Sequence, residues 1–439
     1  MRYPPGPPPM PIIGNLPLAG ADPLGTFLRW AAEYGDIFYY RAFWIPVYVL
    51  SNPTLIEEVL VRHPGRFIKD RTLRNSHWLL GHGLLTAEGD HWRRQRRLAQ
   101  PAFHRAKIES YANIMTGYAA RMLETWRDGA DLDIHQEMME LTLRIVVRTL
   151  FGTETEDTES ISLSLSAVLR NSSGIRLILP GLFRWLPLPG MKELRNGVAE
   201  LDRTVYRIIA ARRTSDSATD DLLSMLMAAR DEDGGQMDDR QLRDEVMTFF
   251  IAGHETTALA LSWAWALLSA NPDVERQLHN ELDNVLGGRL PELTDLPNLP
   301  YTEAVVKETM RLYPPAWAVA REAAESFDLA GYRIPRGANI LMSQWIVHRD
   351  PKFFPNPEVF DPGRWAEGAA KLPKFTYFPF GAGPRQCIGT AFAMMEADLL
   401  LASIAQRFRA KVSEGAIIEP VPGFTLRPRH GVRVRLSAR

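Results

Sequence analysis

The feature that most constrains this chain is the stretch Phe380-Gly-Ala-Gly-Pro-Arg-Gln-Cys387-Ile-Gly389. It holds the only cysteine of 439 residues, in a loop of glycines and one proline, and an apolar helical pattern from Ala391 to Leu401 follows at once. Gly381, Gly383 and Gly389 permit close backbone approaches that a side chain forbids, and Pro384 stiffens the turn. A sulfur held just ahead of a helix start sits in the positive field of free backbone N–H groups. That setting suits a thiolate, either as nucleophile or as metal ligand. The plain alternative is a small buried hydrophobe, the commonest fate of a lone cysteine.

Composition narrows the partners. A net charge of −1 argues against a nucleic-acid ligand, which calls for a basic excess. One cysteine excludes an internal disulfide and fits a reducing compartment. With 46% hydrophobic and 23% charged residues the chain reads as an ordinary globular protein with a large core. Residues 1–20 are proline-rich and contain no long apolar segment, so the expectation is a naturally soluble chain, the alternative being one whose anchor has been removed. The apolar run Val246 to Ala270 is interrupted by His254, Glu255, Thr256 and Thr257, so it reads as a buried helix.

Helical periods cover Asp22–Tyr34, Pro53–Val61, Ala106–Trp126, Gln136–Phe151, Met191–Arg213, Asp273–Leu286 and Tyr301–Tyr313. Ile37–Arg41 and Val47–Leu50 read as paired strands; Phe327–Ala330, Tyr332–Ile334 and Asn339–Ser343 are strand-like. Asp238 with Gln241 three residues on forms a capping pair for a long helix ending at Asn271-Pro272. Arg66–Gly89 lacks a period and reads as a loop able to cover a cavity. Glu154–Leu188 is weakly patterned, and the C-terminal residues read as hairpin strands after a loop at Pro420–Phe424.

Mid-helix, Ala252-Gly253-His254-Glu255-Thr256-Thr257 places a small residue, an acid and two alcohols together. Gly253 removes bulk, and threonines bond back to carbonyls one turn earlier and bend the helix. Such a groove can hold a small ligand, or simply be a satisfied polar patch in the core.

The Phe380–Gly389 loop, with Phe380, Gly383, Arg385, Cys387 and Gly389 at this spacing, resembles the heme-ligand loop of the cytochrome P450 family, and the resemblance runs along essentially the whole chain. It implies a mainly α fold with a minor β region, in which heme lies between the long central helix and the helix after the cysteine loop. It implies one catalytic domain over residues 1–439 and no fused reductase. The cofactor would be heme b, with Cys387 as its iron ligand. Phe380 would pack beside the sulfur, Ala252 and Gly389 would touch the ring, and Trp92, Arg96, Arg321 and Arg385 would hold the propionates. Glu255 would relay protons from solvent and Thr256 would steer them to bound oxygen, with His254 facing away.

Glu308-Thr-Met-Arg311 would form a structural triad with Arg364 of Asp361-Pro-Gly-Arg364-Trp365. Trp78, Leu79, Phe249, Phe250, Ala316, Trp317, Val319 and Phe424 would line the substrate pocket, although each aromatic could equally be core. Residues Glu154–Leu188 would form a roof over the substrate. Arg93, Arg94 and Arg97 would form a basic patch for an acidic electron donor.

The activity implied is a monooxygenase inserting one atom of O2 into a lipophilic fatty acid, terpenoid or steroid. The long-helix motif is most similar to that of fatty-acid hydroxylating members. Electrons would come from a ferredoxin or flavodoxin with its NAD(P)H-dependent reductase, in a cytoplasmic monomer without a membrane anchor. Two rivals remain at this point: a peroxide-driven or oxygen-independent heme-thiolate enzyme, and a non-enzymatic carrier or sensor of a diatomic gas.

Overall fold

A computed structural model describes residues 3–20, 22–152, 158–171, 190–214 and 221–439. It comprises two compact units, each drawn from two chain segments.

The first unit, residues 1–74 and 307–387, is built on a five-stranded sheet. Its order is Ile37–Ala42, Ile45–Leu50, Asn339–Met342, Val319–Ala323, Phe67–Lys69. Tyr39 pairs with Tyr48 across the antiparallel hairpin, Tyr48 with Ile340 in the one parallel pair, and Ile340 with Arg321 beyond it. Tyr48, Leu50, Ile340 and Met342 are fully buried in one cluster and Val47 and Val49 are buried in another on the opposite face, which pins this register because a one-residue slip would exchange the two packed sets. The Pro23–Tyr34 helix, capped by Asp22 through the Gly25 N–H at 2.9 Å, packs Phe27 and Trp30 against the sheet. Buried Asn15 ties down the proline-rich segment, donating to the Pro8 carbonyl at 3.0 Å and accepting from the Arg41 N–H at 2.9 Å.

The second unit, residues 75–306 and 388–439, is organised around the Asp239–Ala270 helix. The predicted capping box at its start is present: Asp238 accepts from the Gln241 N–H at 2.7 Å, and the Gln241 side chain accepts from the Asp238 N–H at 3.2 Å. Around it pack the Ile134–Phe151, Met191–Thr214 and Thr390–Ala405 helices. A three-stranded sheet (Asp131–Asp133, Arg433–Ala438, Phe408–Val412) and a short hairpin (Pro420–Pro422 with Leu426–Pro428) complete the unit. The mainly helical architecture with a minor β part is as expected. Among the described residues no helix is long and apolar enough to cross a membrane.

Several local expectations are corrected. Arg66–Gly89 is not one loop: Phe67–Lys69 is an edge strand, and Arg71–Arg74 and His77–Leu80 are single helical turns too short to show a period. Ala106–Trp126 is two helices broken near Ser110 and Tyr111. Pro53–Glu57 is α-helical but Glu58–Arg62 closes as a π turn, with the His63 N–H bonded to the Glu58 carbonyl at 3.0 Å. Val319–Ala323, which has no alternating pattern, becomes a strand through its neighbours. Pro420–Pro422 is a strand and not a loop, since prolines without N–H donors still fit a hairpin edge. Thr158–Asn171, inside the weakly patterned stretch, is a helix, while residues 153–157 and 172–189 lie outside the described residues.

Candidate functional site

In the first unit the cysteine loop is shaped by its own backbone. The Gly381 N–H bonds to the Phe378 carbonyl, Gln386 to Gly383, and Cys387 to Phe380, at 2.9, 3.0 and 3.0 Å. Gly383 has φ +71°, and a Cβ there would lie 2.0 Å from the Leu60 carbonyl oxygen, so only glycine fits against the π turn. Two buried side chains that sequence reasoning missed hold the loop's entry. The Phe378 N–H donates to His348 Nε2 at 3.1 Å, and Gln344 donates to the Phe378 carbonyl at 3.3 Å. Burial, then Arg311 and Arg349, push His348 down to about 3, so its ring is neutral and able to accept. Cys387 itself is exposed.

The Glu308–Arg311 pair lies beneath, with both side chains fully buried. All five guanidinium donors of Arg311 are used: two on Glu308 and one each on the carbonyls of His348, Pro357 and Val359. Arg364 joins through Glu308 at 3.3 Å, completing the expected triad, and the Trp365 indole N–H adds a fourth member at 2.9 Å. Arg321 stands on the Val319–Ala323 strand opposite Ile340. Trp317 is half-buried and stacks on Phe27, ring centres 6.1 Å apart, against the cluster of Trp30 and Phe38. Ala316 and Val319 are half-buried.

In the second unit the Asp239–Ala270 helix is buried almost throughout Val246–Trp265, yet Ala252 is exposed and Gly253 and Thr256 are half-buried. Thr256 Oγ1 donates to the Ala252 carbonyl at 2.7 Å, the back-bond expected of a bent helix. Glu255 points elsewhere. It is ion-paired with Arg427 and accepts from Thr425 Oγ1 at 3.0 Å, both on the Leu426–Pro428 side of the short hairpin. Sequence reasoning missed both partners: a hairpin 170 residues away carries no local signal of what it will meet. His254 is buried and, chiefly through desolvation, lowered to about 3. Glu396, on the helix after the cysteine loop, is also fully buried; desolvation raises it to about 8, offset in part by the Thr257 hydroxyl. It too was unforeseen.

Trp92 and Arg96 share the Gly89–Ala99 helix, as expected. The basic-patch expectation is corrected: Arg93 pairs with Asp90 on the same helix, while Arg94 pairs with Asp231 at 2.6 Å and Arg97 with Glu232 because the acidic turn after Arg230 folds onto this helix. Trp78, Leu79, Phe249 and Phe250 share one apolar cluster, with Phe249 against Phe103 at 5.2 Å and Phe250 against Phe151 at 6.2 Å. Gly81 and Gly83 lie directly on Asp244 and Thr248 of the long helix, with the His82 N–H bonded to Asp244 at 2.8 Å. Phe424, at the hairpin tip, is exposed.

The residues fit a heme. The described residues contain no cluster of three or more His, Cys, Asp or Glu able to hold a bare metal ion, but they present one exposed thiol. An iron porphyrin brings four nitrogens of its own and asks the protein for one axial ligand and for cations to meet its carboxylates.

A profile described as cytochrome P450 matches residues 4–433. The chain belongs to the cytochrome P450 family. This P450 is 39% identical over 429 residues to a cyclooctatin synthase of Streptomyces melanosporofaciens, covering 96% of this chain and 91% of that one. It is 36% identical over 437 residues to a pentalenene oxygenase of Streptomyces avermitilis (98% and 96% covered). It is 32% identical over 454 residues to a cytokinin hydroxylase of Arabidopsis thaliana (97% and 84%). The P450 is thus a heme-thiolate monooxygenase acting on a lipophilic small molecule with electrons from redox partners.

Proposed function

We propose that this P450 hydroxylates or epoxidises a terpenoid, with Cys387 as the iron ligand, Thr256 and Glu255 as its proton-delivering pair, and heme b as cofactor. The observation that carries the reading is the helix opening at Ala252, Gly253 and Thr256, paired in sequence with the exposed thiol of Cys387. Support for a terpenoid, over the fatty-acid and steroid alternatives, comes from relatives named for cyclooctatin, cyclooctat-9-en-7-ol and pentalenene.

When bound, the heme supplies the activation of dioxygen. The protein does the rest. Cys387 donates its sulfur as thiolate, kept charged by the amides at the start of the Thr390–Ala405 helix. Trp92, Arg96, Arg321 and Arg385 would hold its propionates, and Phe380, Ala252 and Gly389 would pack against it. Glu308, Arg311 and Arg364 keep the loop rigid. Thr256 Oγ1 passes on a proton received from Glu255, so protons arrive through positioned groups and not through bulk water. Trp78, Leu79, Phe249, Phe250, Ala316, Val319 and Phe424 exclude water around an apolar substrate. Residues 1–439 act as one catalytic domain, a cytoplasmic monomer served by a ferredoxin or flavodoxin and its reductase.

The test is turnover. Purified holoenzyme with a surrogate ferredoxin and reductase is screened against a terpenoid library for substrate-induced spin-state shifts and for NAD(P)H-dependent, O2-dependent product. Product from peroxide alone, with none from O2 and reductant, would overturn the proposal. Cys387→Ser is expected to abolish the red-shifted Soret band of the reduced carbon monoxide complex.

A further inference from the structure

The acid of the proton relay is not held by the helix that carries it. Glu255 is 1% exposed, and its Oε1 takes both the Arg427 guanidinium and the Thr425 hydroxyl. Arg427 Nε donates to Thr425 Oγ1 at 3.2 Å, so the three groups close on one another. Thr425 closes the hairpin turn immediately before the Leu426–Pro428 strand that carries Arg427. The residue between them is fixed to the same helix, since the Trp263 indole N–H donates to the Leu426 carbonyl at 3.0 Å. Glu255 Oε2 has no protein partner, and the Thr256 hydroxyl is turned to the Ala252 carbonyl. The Arg427 side chain is 26% exposed, so it alone of the three connects the buried acid to solvent. A buried carboxylate with one cation at hand stays charged and aimed; without the cation it takes up a proton.

Resting on the relay reading above, we propose that Arg427, aided by Thr425, is the positioning residue of proton delivery. It holds Glu255 oriented between turnovers, on the hairpin side of the helix, from where the acid picks up a proton and passes it to Thr256, whose own hydroxyl proton moves on. The other titratable groups around this triad are His135, His254 and Glu396. Burial lowers His135 to about 4 and His254 to about 3, so both are neutral near pH 7, and it raises Glu396, beside Thr257, to about 8. Arg427 is therefore the one cation Glu255 meets there among the described residues.

The experiment compares Arg427→Gln, Arg427→Lys, Glu255→Gln and the Arg427→Gln/Glu255→Gln double variant as holoenzymes. Arg427→Gln is expected to lower product per NAD(P)H by about tenfold, less than the roughly 10²–10⁴-fold of a full general acid–base contribution because Glu255 itself remains. The missing electrons should appear as peroxide and the solvent isotope effect should rise, while the substrate spin shift and the carbon monoxide band persist. Infrared difference spectra of the ferric enzyme should show a protonated-carboxyl band in Arg427→Gln that the double variant lacks. Arg427→Lys should restore most coupling, and the double variant should be no worse than Glu255→Gln, as for residues acting as one unit. Wild-type coupling and no new carboxyl band in Arg427→Gln, with Glu255→Gln uncoupled, overturns this proposal alone. Wild-type coupling in Glu255→Gln overturns the relay reading beneath it. Should Arg427→Gln fail to load heme, Thr425→Val, which keeps the ion pair's shape, carries the same readouts with a smaller expected loss.

Discussion

Replacing Glu308 by alanine removes the acceptor of five hydrogen bonds at once. Two come from Arg311, at 2.9 and 2.8 Å, and one each from the Asp361 N–H, Arg364 and the Trp365 indole, at 3.1, 3.3 and 2.9 Å. Arg311 would keep three carbonyls but lose its counter-charge in a site with no solvent exposure. Stripping one partner from a buried pair costs about 3–5 kcal/mol. The upper half of that range is expected here, because Arg364 and Trp365 lose their partner too. At about 1.4 kcal/mol per decade, the folded-to-unfolded ratio falls by about 700- to 4,000-fold.

Urea unfolding of the holoenzyme, followed by tryptophan fluorescence and by the Soret band, measures the change. The two probes should shift together, since Arg311 also grips His348, whose ring receives the Phe378 N–H of the cysteine loop. As a control, Arg62→Ala breaks pairs to Glu57 and Glu58 around a side chain 52% exposed, and should cost under about 1 kcal/mol. A Glu308→Ala loss no larger than that of Arg62→Ala would refute the reasoning.

Further outcomes follow from single contacts. Thr256→Ala should release peroxide at the expense of product with substrate affinity little changed; unchanged coupling, measured as product per NAD(P)H, removes Thr256 from the relay. Gly383→Ala places a Cβ 2.0 Å from the Leu60 carbonyl at φ +71°, so the loop must shift and heme retention on gel filtration should fall. Glu396, raised from 4.5 to about 8, keeps its proton in the fold while the unfolded chain releases it above pH 4.5. Wild-type stability therefore falls relative to Glu396→Gln by up to about 1.4 kcal/mol per pH unit between those values and levels off above pH 8. A difference independent of pH, from urea titrations between pH 5 and 8.5, would show the carboxyl is not held neutral.

Motifs whose chemistry sits within a few residues were legible before any coordinates. The Asp238–Gln241 cap, the Thr256 back-bond to Ala252 and the Glu308–Arg311 pair are all local, set by helix geometry over three or four positions. The same holds for the cysteine loop, where one turn of glycines and a proline dictates the path. Not every short strand was legible: Phe327–Leu329, Tyr332–Ile334 and Asn339–Met342 fall where the sequence places strands, but Val319–Ala323 has no alternation, and its strand character comes from the neighbours on either side. Arg94 and Arg97 of the Gly89–Ala99 helix read as free charge because their partners, Asp231 and Glu232, lie more than 130 residues away.

The sequence by itself determined the family and the mainly helical plan, and it singled out Cys387 and the Glu255–Thr256 pair as the proposed site, because these rest on residue types at short, rigid spacings. Tertiary structure alone decided who meets the buried charges: Arg427 and Thr425 on Glu255, His348 under the cysteine loop, Glu396 left neutral beside Thr257. The reason is physical. Burial and pairing of a charge depend on which distant segments are packed around it, and loop closure leaves that choice open to the whole fold.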